Sequence, residues 1–295
     1  MKELTGIIPP LIIPFKEEGG INDTSLRGFI DFLIERKIGG LFPCGTFGSG
    51  PLMTKDERKQ CAEIIIDAAA DRVPVIIHVG TTTKAATVEF AKHAEKAGAD
   101  AVAAVPPYYY PHIEEVVIGY YQELLDAVSI PVFAYNNPGR VGYGISPQLM
   151  ARLADMGLAG LKESSFDLKV FISYLNAVKK PGFQYIMGTV PLLFPGLMMG
   201  AVAGIAGTAN AFPEIAVELF NEFKNGNYAQ CIELQKRISR LVAIMGIGGV
   251  PITGLIAMLE LRGYEFGYPH DPMVKVSAET KEKIRQGLLE LGLLE

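Results

Sequence analysis

The sequence predicts a closed (β/α)8 barrel of the TIM type with additional C-terminal helices. Three observations predict it. Short β-branched or apolar runs alternate with longer segments of helical period. The alternation amounts to about eight strand–helix units in the first two-thirds or so of the chain, and consecutive units of that kind demand a parallel sheet. No G-x-G-x-x-G follows the first strand and no switch point is recognisable, which sets aside an open, doubly wound sheet.

In chain order the strand-like runs are GIIPPLIIPF (6–15), GGLFPC (39–44), VPVIIHVG (73–80), DAVAAVPP (100–107), IPVFAYN (130–136), LAGLKE (158–163), FQYIMG (183–188) and AVAGIAG (201–207). Helical segments lie between them. Thr54 with Glu57 makes a capping box, and Ser146-Pro147 starts another helix with proline in its first turn. Gly98 after Ala97 is a helix stop. Beyond Ala211 about seventy residues read as helix alone. The expected organisation is therefore a barrel over residues 1–223 and a helical extension packed on it over 224–295.

Composition narrows the function classes. The chain has 295 residues, 49% of them hydrophobic and 20% charged, with a net charge of −5. No cluster of lysine and arginine supports a nucleic-acid or anionic membrane surface. Two uncharged stretches, from Pro181 to Pro213 and from Leu241 to Leu259, are cut by glycine and proline and read as buried core rather than as membrane spans. Cys44, Cys61 and Cys231 have neither metal-like nor redox-like spacing and fit a reducing compartment. With no signal-peptide pattern at the start, the expected location is cytoplasmic. The four histidines show no ligand spacing, so no metal and no cofactor is expected.

In a barrel of this type the chemistry sits at the C-terminal ends of the strands. Those ends carry Gly45-Thr46, Tyr108-Tyr109, Tyr135, Arg140, Lys162, Gly188 and the backbone from Ile205 to Thr208. Lys162 stands at the end of a small, apolar strand. It either snorkels to solvent or pairs with a neighbour, or else it points inward. Side chains alternate along a strand, so Lys162 and Glu163 face opposite sides and do not neutralise each other. An inward lysine among apolar groups is pushed toward the neutral amine, the species that attacks a ketone to form a Schiff base. Tyr135 is either amphipathic filler or a proton carrier. Arg140 is either a surface loop residue or a carboxylate clamp.

Taken in order, these segments resemble the dihydrodipicolinate synthase and N-acetylneuraminate lyase family of pyruvate-dependent class I aldolases. CGTFGSGP is similar to its G-[ST]-T-G loop, VPPYYYP to its paired-tyrosine segment, YNNPGR to its Y-N-x-P motif, and GLKES to the strand of its Schiff-base lysine. The resemblance covers nearly the whole chain. It implies that Lys162 forms an imine with the keto carbon of pyruvate and that Tyr135 moves protons at the imine and the aldehyde oxygen. Thr46, with Tyr109 lent by a neighbouring subunit, completes the relay. Thr46 and the amide of Phe47 hold the pyruvate carboxylate, Gly188 and Ile205 offer backbone groups, and Arg140 grips the second substrate. The implied partners are pyruvate and an aldehyde, and the implied assembly is a homotetramer, consistent with the tyrosine cluster.

Phe47 stands where the family has a second loop threonine, and the loop glutamate that follows is absent. The GSGP turn instead resembles the archaeal 2-keto-3-deoxygluconate aldolases. Their phosphate-accepting members carry arginine where His112 and His270 stand. The leading expectation is a lyase cleaving a 2-keto-3-deoxy sugar acid such as 2-keto-3-deoxygluconate to pyruvate and an aldehyde. Arg140 supports the alternative, a 4-hydroxy-tetrahydrodipicolinate synthase condensing pyruvate with aspartate semialdehyde. Readings of other classes are a non-catalytic 2-oxo-acid-binding barrel and, from GIAGTAN, a phosphate-binding isomerase.

Overall fold

The computed structural model describes residues 4–294. Seven parallel strands form its sheet: β1 (Gly6–Ile8), β2 (Ile76–His78), β3 (Ala101–Ala104), β4 (Val132–Asn136), β5 (Gly160–Glu163), β6 (Gln184–Met187) and β7 (Ala203–Ile205). Their order, β1-β7-β6-β5-β4-β3-β2, is sequential once β1 is set beside β7. Residues 39–44 fill the remaining gap. Gly39 N donates to Ile7 O, Phe42 N to Pro9 O and Leu11 N to Phe42 O on one side. Leu41 N donates to Pro74 O, while Ile76 N and His78 N donate to Leu41 O and Pro43 O on the other.

The expected second strand is thus present as a closing segment rather than as a regular ladder, with Leu41–Val75 its one bridge. The reason is local. Pro9, Pro10, Pro43 and Pro74 lie along its edges and have no amide to donate.

Helices cover the outside of the sheet, and their ends carry the signals read from the sequence. Thr54 caps α2 (Lys55–Ala69) with a reciprocal bond to Glu57, Ser146 caps α6 (Pro147–Met156) ahead of Pro147, and Gly98 ends α3 (Lys84–Ala97) in the left-handed conformation. The tail after Ala211 departs from an all-helical reading. It contains α9 (Pro213–Lys224), α10 (Tyr228–Gly246), α11 (Pro251–Leu261) and α12 (Ala278–Glu290), but residues 262–277 form a loop. Tyr268 in that loop exchanges backbone hydrogen bonds with Phe15. No single helix among the described residues is long and apolar enough to cross a membrane; α10 and α11 reach that length together but are bent by 104° at their junction.

Two cores result from strand alternation. Ile8, Phe42, Ala101, Ala103, Phe133, Ile186, Ala203 and Ile205 belong to an inner cluster, while Ile7, Val102, Ala104, Leu161 and Met187 belong to an outer one with the helices. Gly160 of β5 admits a neighbour: a Cβ there would meet Phe133 Cε1 at 2.5 Å and Gln184 O at 2.3 Å. Closure has a similar demand at Gly39, where a Cβ would stand 1.9 Å from the Thr5 carbonyl oxygen.

Gly39→Ala is therefore expected to lower the unfolding free energy by about 1–3 kcal/mol, because backbone rather than a flexible side chain must yield. Gly119→Ala, in α4 (Glu114–Ala127) with nothing within 4 Å of the new methyl, is expected to raise it by about 0.5–1 kcal/mol. Urea denaturation of the two variants checks both signs.

Candidate active site

β5 places Lys162 in the lining of a cavity of about 320 Å³ at the C-terminal mouth of the barrel. Strand alternation sends Glu163 the other way. Its Oε1 accepts from Asn136 Nδ2 at 3.2 Å and from the Ser165 amide at 2.6 Å, on the helix side of the sheet. Asp167 is also occupied, capping α7 (Leu168–Ala177) by accepting from Lys169 N. Among the described residues no carboxylate forms an ion pair with Lys162. Lys162 is only 4% exposed, and its amine is held instead over two aromatic rings, 3.9 Å from the Phe42 ring centre and 3.8 Å from that of Tyr135.

Electrostatics follow from that setting. Burial pushes the Lys162 ammonium below its ordinary value, and the Tyr135 phenol opposes the shift only in part. Burial alone would raise the Tyr135 phenol, but the Lys162 charge and the hydroxyls of Ser164 and Thr46 bring it below its ordinary value. Both groups are therefore more acidic than in water, which favours a neutral amine beside a phenol able to release its proton. Ser164 Oγ is close enough to influence the phenol, yet it makes no hydrogen bond of good geometry.

The register of the sheet produces this proximity: Tyr135 of β4 lies directly beside Lys162 of β5. Asn137 Nδ2 donates to the Tyr135 oxygen at 2.9 Å and fixes the ring's outer end. His78 packs edge-on against the same ring at 5.7 Å. Its imidazole is held well below its usual range by burial, then by Arg58 and Lys162, so it supports the phenol as a neutral ring.

Most of the residues singled out from the sequence converge here. Thr46, Phe47, Tyr135, Arg140, Lys162, Gly188 and Ile205 all line the one cavity. Gly188 is required by space, since a Cβ would lie 2.1 Å from Ser164 Oγ. Phe47 lays its ring against Gly207, where a Cβ would meet it at 2.9 Å. Arg140, in the short helix α5 (Pro138–Val141), is exposed at the rim and has no ion-pair partner among the described residues. Tyr109 is the exception: it is 80% exposed, has a φ of 83° and packs on Tyr110 outside the cavity.

Several groups were not singled out from the sequence. Asn137 orients the phenol, and the buried hydroxyls of Ser164 and Thr189 have no hydrogen-bond partner among the described residues. Ser164 was legible in principle, since it lies two residues beyond Lys162 on the same strand face. Among the described residues there is no group of three or more His, Cys, Asp and Glu side chains that could hold a metal ion.

The model of the dihydrodipicolinate synthetase family matches residues 3–291. The chain belongs to that family. A 4-hydroxy-tetrahydrodipicolinate synthase of Methanopyrus kandleri is 32% identical over 99% of this chain and 98% of its own. A probable 2-dehydro-3-deoxy-D-pentonate aldolase of Escherichia coli is 30% identical over 100% of this chain and 99% of its own. Among solved structures, a prophage protein of the dihydrodipicolinic acid synthase family from E. coli, in complex with pyruvate, aligns with a TM-score of 0.95 and 28% identity, covering 98% of this chain and 99% of that one. Members of the dihydrodipicolinate synthetase family are lyases and aldolases acting with pyruvate and an aldehyde, and this chain is an enzyme of that class.

The buried amine has a thermodynamic signature. Between its depressed folded pKa and the ordinary 10.5, the unfolded chain binds more protons at Lys162 than the folded one, so stability rises with pH across that window. Lys162→Met is expected to raise the melting temperature near neutral pH, with the gain fading as the pH climbs toward 10.5. Thermal melts of both proteins across pH check it, and a lysine satisfied by an unseen partner would give a loss instead.

Proposed function

We propose that the protein is a class I aldolase that forms a Schiff base between Lys162 and pyruvate and cleaves a 2-keto-3-deoxy sugar acid, of which 2-keto-3-deoxygluconate is the type. The observation that carries this reading is the Lys162 amine, buried without a counter-ion among the described residues, 3.8 Å from the Tyr135 ring centre and lining a cavity of about 320 Å³. The neutral amine attacks the C2 carbonyl of the keto acid, and loss of water gives a protonated imine. The Tyr135 phenolate then takes the proton from the C4 hydroxyl. The C3–C4 bond breaks, its electron pair moves into the iminium as an enamine, and the aldehyde departs. Protonation at C3 and hydrolysis of the imine release pyruvate and restore the amine.

In this scheme Thr46 and the Phe47 amide receive the carboxylate, Gly188 and Ile205 bound the keto acid, and Tyr109 of a second copy completes the proton relay in a homotetramer. The unpartnered hydroxyls of Ser164 and Thr189 support a hydroxylated substrate, because a buried hydroxyl without a partner costs about 1–3 kcal/mol that a ligand could recover. Similarity to the E. coli pentonate aldolase over the whole chain supports the same class.

Arg140 favours a second reading. An unpaired guanidinium at the cavity rim suits the carboxylate of aspartate semialdehyde, as in a 4-hydroxy-tetrahydrodipicolinate synthase, the activity named for the M. kandleri relative.

Borohydride reduction in the presence of pyruvate is expected to add the mass of pyruvic acid less one oxygen to the peptide bearing Lys162. An unmodified Lys162 would overturn the Schiff-base reading. Tyr135→Phe is expected to lower kcat by about 10²–10⁴-fold. Coupled assays with 2-keto-3-deoxygluconate and with aspartate semialdehyde plus pyruvate separate the two substrates. The synthase reading requires that Arg140→Ala raise KM for the semialdehyde, and the sugar-acid reading requires turnover of the former.

A further inference from the structure

The cavity is chemically two-sided. Its polar side chains, Thr46, Tyr135, Asn137, Lys162, Ser164 and Thr189 with Arg140 at the rim, stand on the barrel strands and the segments that follow them. The opposite wall comes from the C-terminal helices and the loop after β6. Val242, Met245 and Gly246 lie one, three and four positions apart on α10, which puts them on a single face. Pro251 at the start of α11 and the pair Val190-Pro191 extend that face. None of these side chains has a hydrogen-bonding group. The Gly246 carbonyl is already occupied by the Gly249 amide at 2.9 Å. Met245 and Val190 are buried, while Val242, Pro191 and Pro251 are half-buried and Gly246 is exposed, so this wall is apolar and closed to water at its Met245–Val190 end.

A polyhydroxylated chain is poorly served by such a wall. A keto acid joined to Lys162 would have the hydroxyls of Ser164 and Thr189 to meet its polar groups, but a hydroxyl at its far end, set against this wall, would leave water for methyl and proline carbons. Arg140 does not alter this, because it is exposed at the rim, on the short helix after β4.

We infer that the aldehyde partner is a short 2-hydroxyaldehyde whose far carbon is unsubstituted, so that the preferred sugar acid is deoxygenated at the end remote from its keto group. With pyruvate the simplest such aldehyde is lactaldehyde, and the corresponding acid is a 2-keto-3,6-dideoxyhexonate. The bond made in synthesis is the same C3–C4 bond, with the enamine carbon adding to the aldehyde carbon and the new alkoxide taking a proton. The Val242–Met245–Pro251 wall then acts as the specificity element, receiving the terminal methyl. This inference rests on the aldolase reading above and names its substrate class.

The contrast of lactaldehyde with glyceraldehyde isolates the claim, since they differ only in one terminal hydroxyl. Aldol addition to pyruvate is measured for the two at matched configuration, alongside borohydride trapping of pyruvate alone. kcat/KM is expected to favour lactaldehyde by about ten- to a hundredfold, the discrimination an apolar pocket exerts against one hydroxyl. Val242→Thr and Met245→Gln, which place a hydrogen-bonding group on the wall, are expected to shrink that ratio. Val242→Thr is close in shape and serves if Met245→Gln fails to fold. If pyruvate is trapped on Lys162 but glyceraldehyde is used equally or preferentially, the inference is overturned and the aldolase reading stands; if neither aldehyde is used, the inference is overturned and only the Schiff-base reading stands. A ratio unchanged in both variants also overturns it. Absence of the trapped adduct removes both.

Discussion

The candidate active site depends on one constraint: an amine is carried into the mouth of a parallel barrel with no acid among the described residues to pair with it. Lys162 is buried between the rings of Phe42 and Tyr135, and the nearby carboxylates of Glu163 and Asp167 are committed elsewhere. A desolvated cation without an anion is costly, and the cost is relieved by losing the proton. The same arrangement lowers the Tyr135 phenol, because what charge the amine keeps acts on the nearest acidic group. Fold and reactivity are therefore linked through strand alternation. Had Lys162 stood one position along, it would have joined Glu163 on the outer face and been neutralised.

The surrounding elements hold this pair in place. β4 and β5 run in register, so Tyr135 and Lys162 are neighbours by sheet geometry rather than by loop conformation. Asn137 and His78 restrain the tyrosine from two directions, one through its oxygen and the other through its ring edge. Gly188 and Gly207 supply absence of volume, which Ser164 and Phe47 fill. Phe47 lines the cavity and packs its ring against Gly207. The α10–α11 elbow adds Val242, Met245 and Pro251 to the cavity lining, so the apolar wall and the Lys162–Tyr135 pair come from different parts of the chain.

Much of this was legible in the sequence because the signals are local. The capping residues Thr54 and Ser146, the stop at Gly98, and the opposite facing of Lys162 and Glu163 each follow from spacing within a few residues. The barrel order followed from repetition of that local pattern. The second strand was less regular than its apolar run suggested, since prolines on both sides withhold donors without changing hydrophobicity. The loop 262–277 was hidden by helical composition on both sides. Asn137 and the apolar wall left no local trace: the wall brings α10 to residues about fifty positions earlier on the loop after β6. Tyr109 was read as a site residue of an assembly, and within one chain it lies exposed beyond the cavity.

A crystal structure of the protein grown with pyruvate tests the central claim most directly. The account predicts continuous density from Lys162 Nζ to carbon 2 of pyruvate, with the carboxylate against Thr46 and the Phe47 amide and the Tyr135 oxygen within hydrogen-bonding reach of the imine region. Pyruvate bound elsewhere, or lying unbonded beside a lysine that has turned out to pair with an acid, would contradict it.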